Sequence, residues 1–172
     1  FSPTGNLLAF TGNKSAPPTS IVSGEIVVAE FVDDKINPPF LRDSTNLTNN
    51  ASNQENERNV CWHPTSTNGR IVFGYWHQPT GTTQLETARV VDHGSGSVPR
   101  FQLVDRSVLL ANAHQPVFSA DGSKLLFYYN SPAGIRIANW VDDGVNPPTL
   151  SGILNFPGCN FPLEYPMDWA RR

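Results

Sequence analysis

Four histidines, two cysteines and two Asp-Asp pairs are the residues whose types suit them to chemistry in this 172-residue chain. His63, His77, His93 and His114 fall in turns or at strand ends, and no two stand at the spacing of a metal site, so each reads as a structural or solvated residue. Asp33-Asp34 and Asp142-Asp143 carry the carboxylates that calcium accepts. Neighbouring strand residues point to opposite faces, however, so a pair cannot chelate from a regular strand and reads as a turn or loop element. Ser2 and Ser119 each follow an aromatic residue at a repeated position, where a hydroxyl bonds the turn backbone. A nucleophile would not recur in this way, and the G-x-S-x-G elbow of esterases and peptidases is absent from the sequence. Cys61 and Cys159 stand 98 residues apart, too far for a close-spaced zinc or dithiol motif. A disulfide between them would tie the second repeat to the end of the third, but spacing does not establish proximity. The sequence thus offers no catalytic, cofactor-binding or metal-ligating constellation.

Trp76, Trp140, Tyr75, Tyr128 and Tyr129 could build an aromatic ligand surface, although aromatics in stacked sheets more often serve packing. Three N-x-S/T sequons, at Asn13, Asn46 and Asn50, carry meaning only in a eukaryotic secretory protein. The segment Ser119 to Ser123 is similar to a sialidase Asp-box, but Lys124-Leu125-Leu126 departs from the continuation that box requires.

The elements that must position these groups follow from composition and repetition. Twelve basic residues against fifteen acidic ones give a net charge of −3, which excludes a basic nucleic-acid binder. Charged residues are only 16% of the chain, while 15 Pro and 13 Gly make frequent turns. No run approaches the roughly 18 apolar residues that a spanning helix needs, so direct membrane insertion is not expected.

FSPTGNLLAF at 1–10 aligns without a gap to FSADGSKLLF at 118–127, and WHPTSTNGRIVF at 62–73 shares the frame with three extra residues. AEFVDDKINPPFL at 29–41 likewise matches ANWVDDGVNPPTL at 138–150, with ARVVD at 88–92 as a weaker copy. The leading aromatics Phe1, Trp62, Phe118 and Trp169 are spaced by 61, 56 and 51 residues, defining units of about 1–61, 62–117 and 118–168 and a fourth beginning near 169. Within each unit an incoming strand ends on the aromatic, and a turn built on Gly5, Gly69 or Asp121-Gly122 supplies a positive-φ position. Second strands are expected at 7–10, 71–75 and 125–129, third strands at 25–32, 84–91 and 134–141, and fourth strands at 40–42, 101–104 and 150–154. The polar run 43–59 reads as a long exposed loop. No segment shows a sustained helical period, so the fold class is all-β, and four short strands repeated at this period describe propeller blades.

These aromatic-Ser/His-x-turn-Gly-strand units resemble the WD40-like repeat of TolB-type β-propellers, whose blades carry a W-S-P-D-G-K-x-I-A-F pattern. Asp of the turn is kept at Asp121 and replaced by Thr4 and Asn68 in the other copies, and the leading Trp is Phe in two of three. The resemblance implies about three blades of a ring of about six, and hence either a piece of a longer chain or copies that complete a ring together. It implies a non-catalytic binding or scaffolding propeller without cofactors, whose partners are other proteins or the remaining blades. With the Asn/Ser/Thr-rich, Lys-poor composition, it favours a periplasmic or extracellular location. The alternatives it leaves are the gating propeller of a prolyl-oligopeptidase-type hydrolase and a structural subunit of an extracellular assembly.

Overall fold

A computed structural model of the chain describes residues 1–13, 24–49 and 55–156. All regular structure among them is β, in three antiparallel sheets whose strands lie side by side in sequence order. The first sheet is β1 (Leu7–Asn13), β2 (Gly24–Val32) and β3 (Phe40–Asn46). The second is β4 (Glu55–Trp62), β5 (Arg70–His77), β6 (Thr82–Asp92) and β7 (Phe101–Ala111). The third is β8 (Ala113–Phe118), β9 (Lys124–Asn130), β10 (Ala133–Val141) and β11 (Thr149–Asn155). Every second, third and fourth strand expected from the repeat is present, and the incoming strands β4 and β8 do end on Trp62 and Phe118.

The polar run 43–59 departs from its expected reading as a loop. Its start continues β3 to Asn46 and its end forms β4, where Asn56 and Glu57 are wholly buried. Hydrophilic residues enter a strand there because Gly24 of the neighbouring sheet and Arg106 of β7 supply hydrogen-bond partners, which residue polarity alone does not reveal. The fourth strand of the second sheet is also longer than expected, running on from Val104 to Ala111. Asp105 takes a positive φ of 53° at a register shift between β6 and β7, so the strand bends and continues where the apolar pattern lapses.

The turn between first and second strands repeats in hydrogen bonds as well as in sequence. Ser2 N–H bonds Leu7 O and Ser119 N–H bonds Lys124 O, while His63 N–H bonds Arg70 O in the third copy. The Ser2 and Ser119 hydroxyls accept the N–H groups of Leu7 and Lys124 in turn. Asp121 receives Ser119 and Ser123, which hold its carboxyl down at about 2. The Asp-Asp loops are likewise copies of each other. Asp34 accepts the backbone N–H groups of Ile36 and Asn37 and the Asn37 amide; Asp143 accepts the same three groups from Val145 and Asn146. Both carboxyls are held at about 2 by those donors, so these residues shape the loop that carries the chain into the outer strand.

The sheets stack face to face, with the second in the middle. Ile71, Phe73, Ala88 and Val90 on one of its faces meet Ile26 and Val28 of the first sheet, with Trp62 and Phe101 completing that core. Val72 and Leu85 on the other face meet Phe118, Leu125, Phe127 and Ala138 of the third sheet. β4 packs against β1 and β2, and β8 packs against β4, β5 and β6. At the outer edge, Arg100 joins the first two sheets by bonding Glu30 at 2.6 Å, Asp43 at 2.8 Å and Asp92 at 3.1 Å.

The three equivalent turn glycines have different surroundings, which fixes the order of their substitution costs. Gly5, Gly69 and Gly122 all have φ of 73–75°, but a Cβ at Gly5 meets open space. At Gly69 it would run into the Val90 carbonyl, and at Gly122 into the His63 ring. Urea denaturation should show Gly5→Ala losing about 1 kcal/mol, the backbone term alone. Gly69→Ala and Gly122→Ala should each lose more than that, and equal losses at all three would contradict the packing described.

Candidate functional site

Two kinds of polar feature lie between the sheets: a buried charge cluster against the first sheet and an open cleft against the third. The cluster is built on Glu57, fully buried in β4, and Glu86, nearly buried in β6. Arg106 of β7 bonds Glu57 at 3.1 Å and also bonds Glu86, and its guanidinium lies over the rings of Phe73 and Tyr75. Arg106 is a third exposed at its side chain, and its pKa is raised by the Glu86 and Glu57 bonds even though desolvation acts against it. Removing one member of such a set strands the others in a poorly solvated site. This arrangement is structural, since all three charges are consumed by one another.

The cleft, of about 320 Å³, opens where β4, β5 and β8 converge. Asn59 and Gln115, each three residues before its repeat aromatic, both have φ of 55° and sit in matching register shifts of β4 and β8. These bulges turn the first strands aside and leave a hollow between them. Gly74 forms part of the wall, and a Cβ there would stand 3.3 Å from the Cβ of His114, so glycine permits the close approach of β8. Asn56 Oδ1 accepts the Gly24 N–H at 2.7 Å and an Arg58 N–H at 3.1 Å, and its buried Nδ2 has no partner among the described residues. Tyr75 and Trp76 supply aromatic wall. The Tyr75 hydroxyl donates to Glu55 at 3.2 Å and its pKa is pushed up to about 12, first by burial and then by the Glu55 charge. The lining holds hydrogen-bond donors and aromatic surface, with neither a carboxylate nor a cysteine. Its chemistry suits binding of a group rich in acceptors, and no nucleophile–base pair is assembled in it.

The residues singled out in the sequence are mostly dispersed. Trp62 lies in the core with the first sheet, while Phe118 and Trp140 stack edge-to-face at 5.0 Å in the core with the third. Phe1 is exposed and meets Phe31 edge-on at 5.1 Å. Tyr129 packs in the third-sheet core beneath Arg136, so of the aromatic set only Tyr75 and Trp76 line the cleft. Among the described residues Cys61 has no disulfide partner, and burial pushes its thiol pKa up to about 12, so the thiol is a poor nucleophile. Thr48 of the Asn46 sequon spends its hydroxyl on the buried Glu25, at 2.8 Å. Cys159 and Trp169 lie outside the described residues. The sequence reading missed Asn56, Glu57, Glu86 and Arg106. A signal existed for Glu86, a charge inside an otherwise β-prone strand, but none for Asn56 and Glu57 within a polar run.

His63 registers the packing of the second sheet on the third, and His114 stacks within the third sheet beside Gly74 of the second. The His63 ring sits 4.6 Å from Phe118 and 5.5 Å from Trp140, and His114 lies 5.1 Å from Tyr128. Burial lowers both pKa values below the ordinary 6.5. The unfolded chain therefore takes up protons first as pH falls, so the stabilisation is complete above about 6.5 and is lost toward the lowered folded values. Thermal unfolding should show Tm falling over that window, and the paired variant His63→Phe, His114→Gln should flatten the slope. For the charge cluster, Arg106→Ala should cost about 3 kcal/mol in urea titrations. Loss of less than 1 kcal/mol would show that Glu57 and Glu86 do not depend on it. No family model matches the chain, and no curated protein or solved structure matches it either.

Proposed function

We propose that this chain forms consecutive blades of a TolB-like β-propeller that binds other proteins without catalysing a reaction, in the periplasm or outside the cell. The observation that supports this reading best is the recurrence of one sequential antiparallel sheet, with the same turn and loop hydrogen bonds, stacked face to face on its neighbours. Sheets that each pack on the next, with their first strands β4 and β8 in contact, suit a ring of blades around those strands. The cleft beside them lies among first-strand residues, where a propeller presents its binding mouth. Its donors and aromatic wall fit the carbonyl-rich backbone and side chains of an extended peptide.

A display of random peptides panned against the chain tests this. The expected result is recovery of peptides that bind saturably and lose about tenfold or more in affinity to Trp76→Ala or Asn56→Ala. Peptide binding unchanged by both variants, or labelling of the source protein by a serine-hydrolase probe, would contradict a non-catalytic binding role centred on this cleft.

A further inference from the structure

A second cleft, of about 320 Å³, lies at the opposite ends of the same strands, between the second sheet and the loop that joins β10 to β11. Arg70 opens β5 there and is only 4% exposed, although nothing in the sequence distinguishes it from a surface arginine. It faces Arg89 across the β5–β6 ladder. The nearest carboxylate, on Asp142 of the third sheet, stands 3.8 Å from Arg70 Nε, beyond hydrogen-bond reach. Among the described residues, Arg70 Nε and Nη1 are buried without a hydrogen-bond partner, and so is the hydroxyl of Ser107 in the bent part of β7. Arg70 and Ser107 line the same cleft, together with Asn68 and the loop residues Gly144 to Pro147.

The two acids nearby are already engaged. Asp105 is bonded by Arg89 through both Nε and Nη2, and Asp142 accepts the Gly144 N–H at 2.9 Å. Three arginines line the cleft, and Arg89 and Arg106 are each bonded to carboxylates, but the hydrogen bonds of Arg70 do not balance. A guanidinium with two unmet donor nitrogens and a hydroxyl with no partner among the described residues remain beside one cleft. Leaving a buried cation so poorly satisfied is costly, and a native protein meets such groups with a ligand, an ion or water. The guanidinium fork matches an anion that offers two or more acceptor oxygens. Desolvation lowers the Arg70 pKa, which agrees with a cation short of compensation.

We propose that the Arg70 cleft binds a small oxyanion, of the phosphate or carboxylate type, held by the Arg70 guanidinium and the Ser107 hydroxyl and covered by the Gly144–Pro147 loop. The anion bridges the second and third sheets where Arg70 and Asp142 stand too far apart to bond directly. This site is independent of the peptide-binding reading, because it shares no lining residue with the cleft at Asn56 and Trp76.

Thermal unfolding and calorimetry with the intact chain test it, using sodium phosphate, sodium sulfate and sodium acetate against sodium chloride at matched ionic strength. The expected result is a saturable rise in Tm with at least one oxyanion and none with chloride. Response to phosphate and sulfate alone assigns tetrahedral anions, and an equal response to acetate assigns carboxylates; either supports the site. Arg70→Gln should weaken binding about tenfold or more and Ser107→Ala about threefold, while Arg42→Gln, on an exposed strand, should leave it unchanged. If Arg70→Gln does not fold, Ser107→Ala and Asn68→Ala carry the test. Identical Tm values in all four salts would overturn the proposal, as would oxyanion binding that is indifferent to Ser107→Ala and Asn68→Ala. In either case Arg70 acts only as an internal counter-charge to Asp142.

Discussion

The second sheet is apolar on both faces, and the rest of the structure depends on its being covered twice. Ile71 and Phe73 point one way along β5 and Val72 the other, all wholly buried. A strand of this kind cannot be stable in an isolated sheet, because both of its apolar faces would stay in water. The first and third sheets are therefore conditions of the second sheet's stability, which is the energetic signature of a repeat protein in which neighbours share interfaces. The turn glycines follow from the same constraint. Gly69 and Gly122 lie so close to Val90 and His63 that the turns serve as part of the interface between strands and sheets.

Polar groups divide between the two interfaces in different ways. Against the first sheet, Arg106 satisfies two buried glutamates and Arg100 ties outer strands together through three carboxylates. Such pairs contribute less to net stability than their number suggests, since each ion gives up water, but they penalise any register that separates them. Toward the third sheet the polar groups are incompletely met at Arg70 and Ser107, and Asn56, though it bonds Gly24 of the first sheet, keeps an unmet Nδ2 at the cleft beside β8. Both unsatisfied sets line open clefts. The unmet groups at Asn56, Arg70 and Ser107 thus border open clefts, whereas the unmet Trp62 Nε1 is sealed in the core with the first sheet.

Most of the strand pattern is legible in the sequence, for an identifiable reason. Repetition lets Leu7-Leu8, Ile71-Val72 and Leu125-Leu126 each testify for the others, so a short apolar run that is ambiguous alone becomes a strand by alignment. Legibility ends where the repeat is interrupted by polar composition. Glu55 to Asn59 carries no apolar residue, yet Asn56 and Glu57 are buried because Gly24 and Arg106 meet them from other strands. The clefts were legible only in fragments. Trp76 and Tyr75 were visible as candidate contact residues, but their meeting with Asn56 depends on the bulges at Asn59 and Gln115, and no residue type in those positions demands a positive φ. Arg70 was invisible because the loop that shares its cleft, Gly144 to Pro147, lies far along the chain from it.

Native-state hydrogen exchange tests the central claim, that the middle sheet is held by both of its neighbours, most directly. The account predicts that the amides of Ile71, Val72 and Phe73 exchange slowest of all, at a rate set by global unfolding, while those of the edge strand β11 exchange fastest among the strands. Protection in β5 no greater than in β11 would mean that the sheets open independently, and the account of a doubly covered central sheet would be wrong.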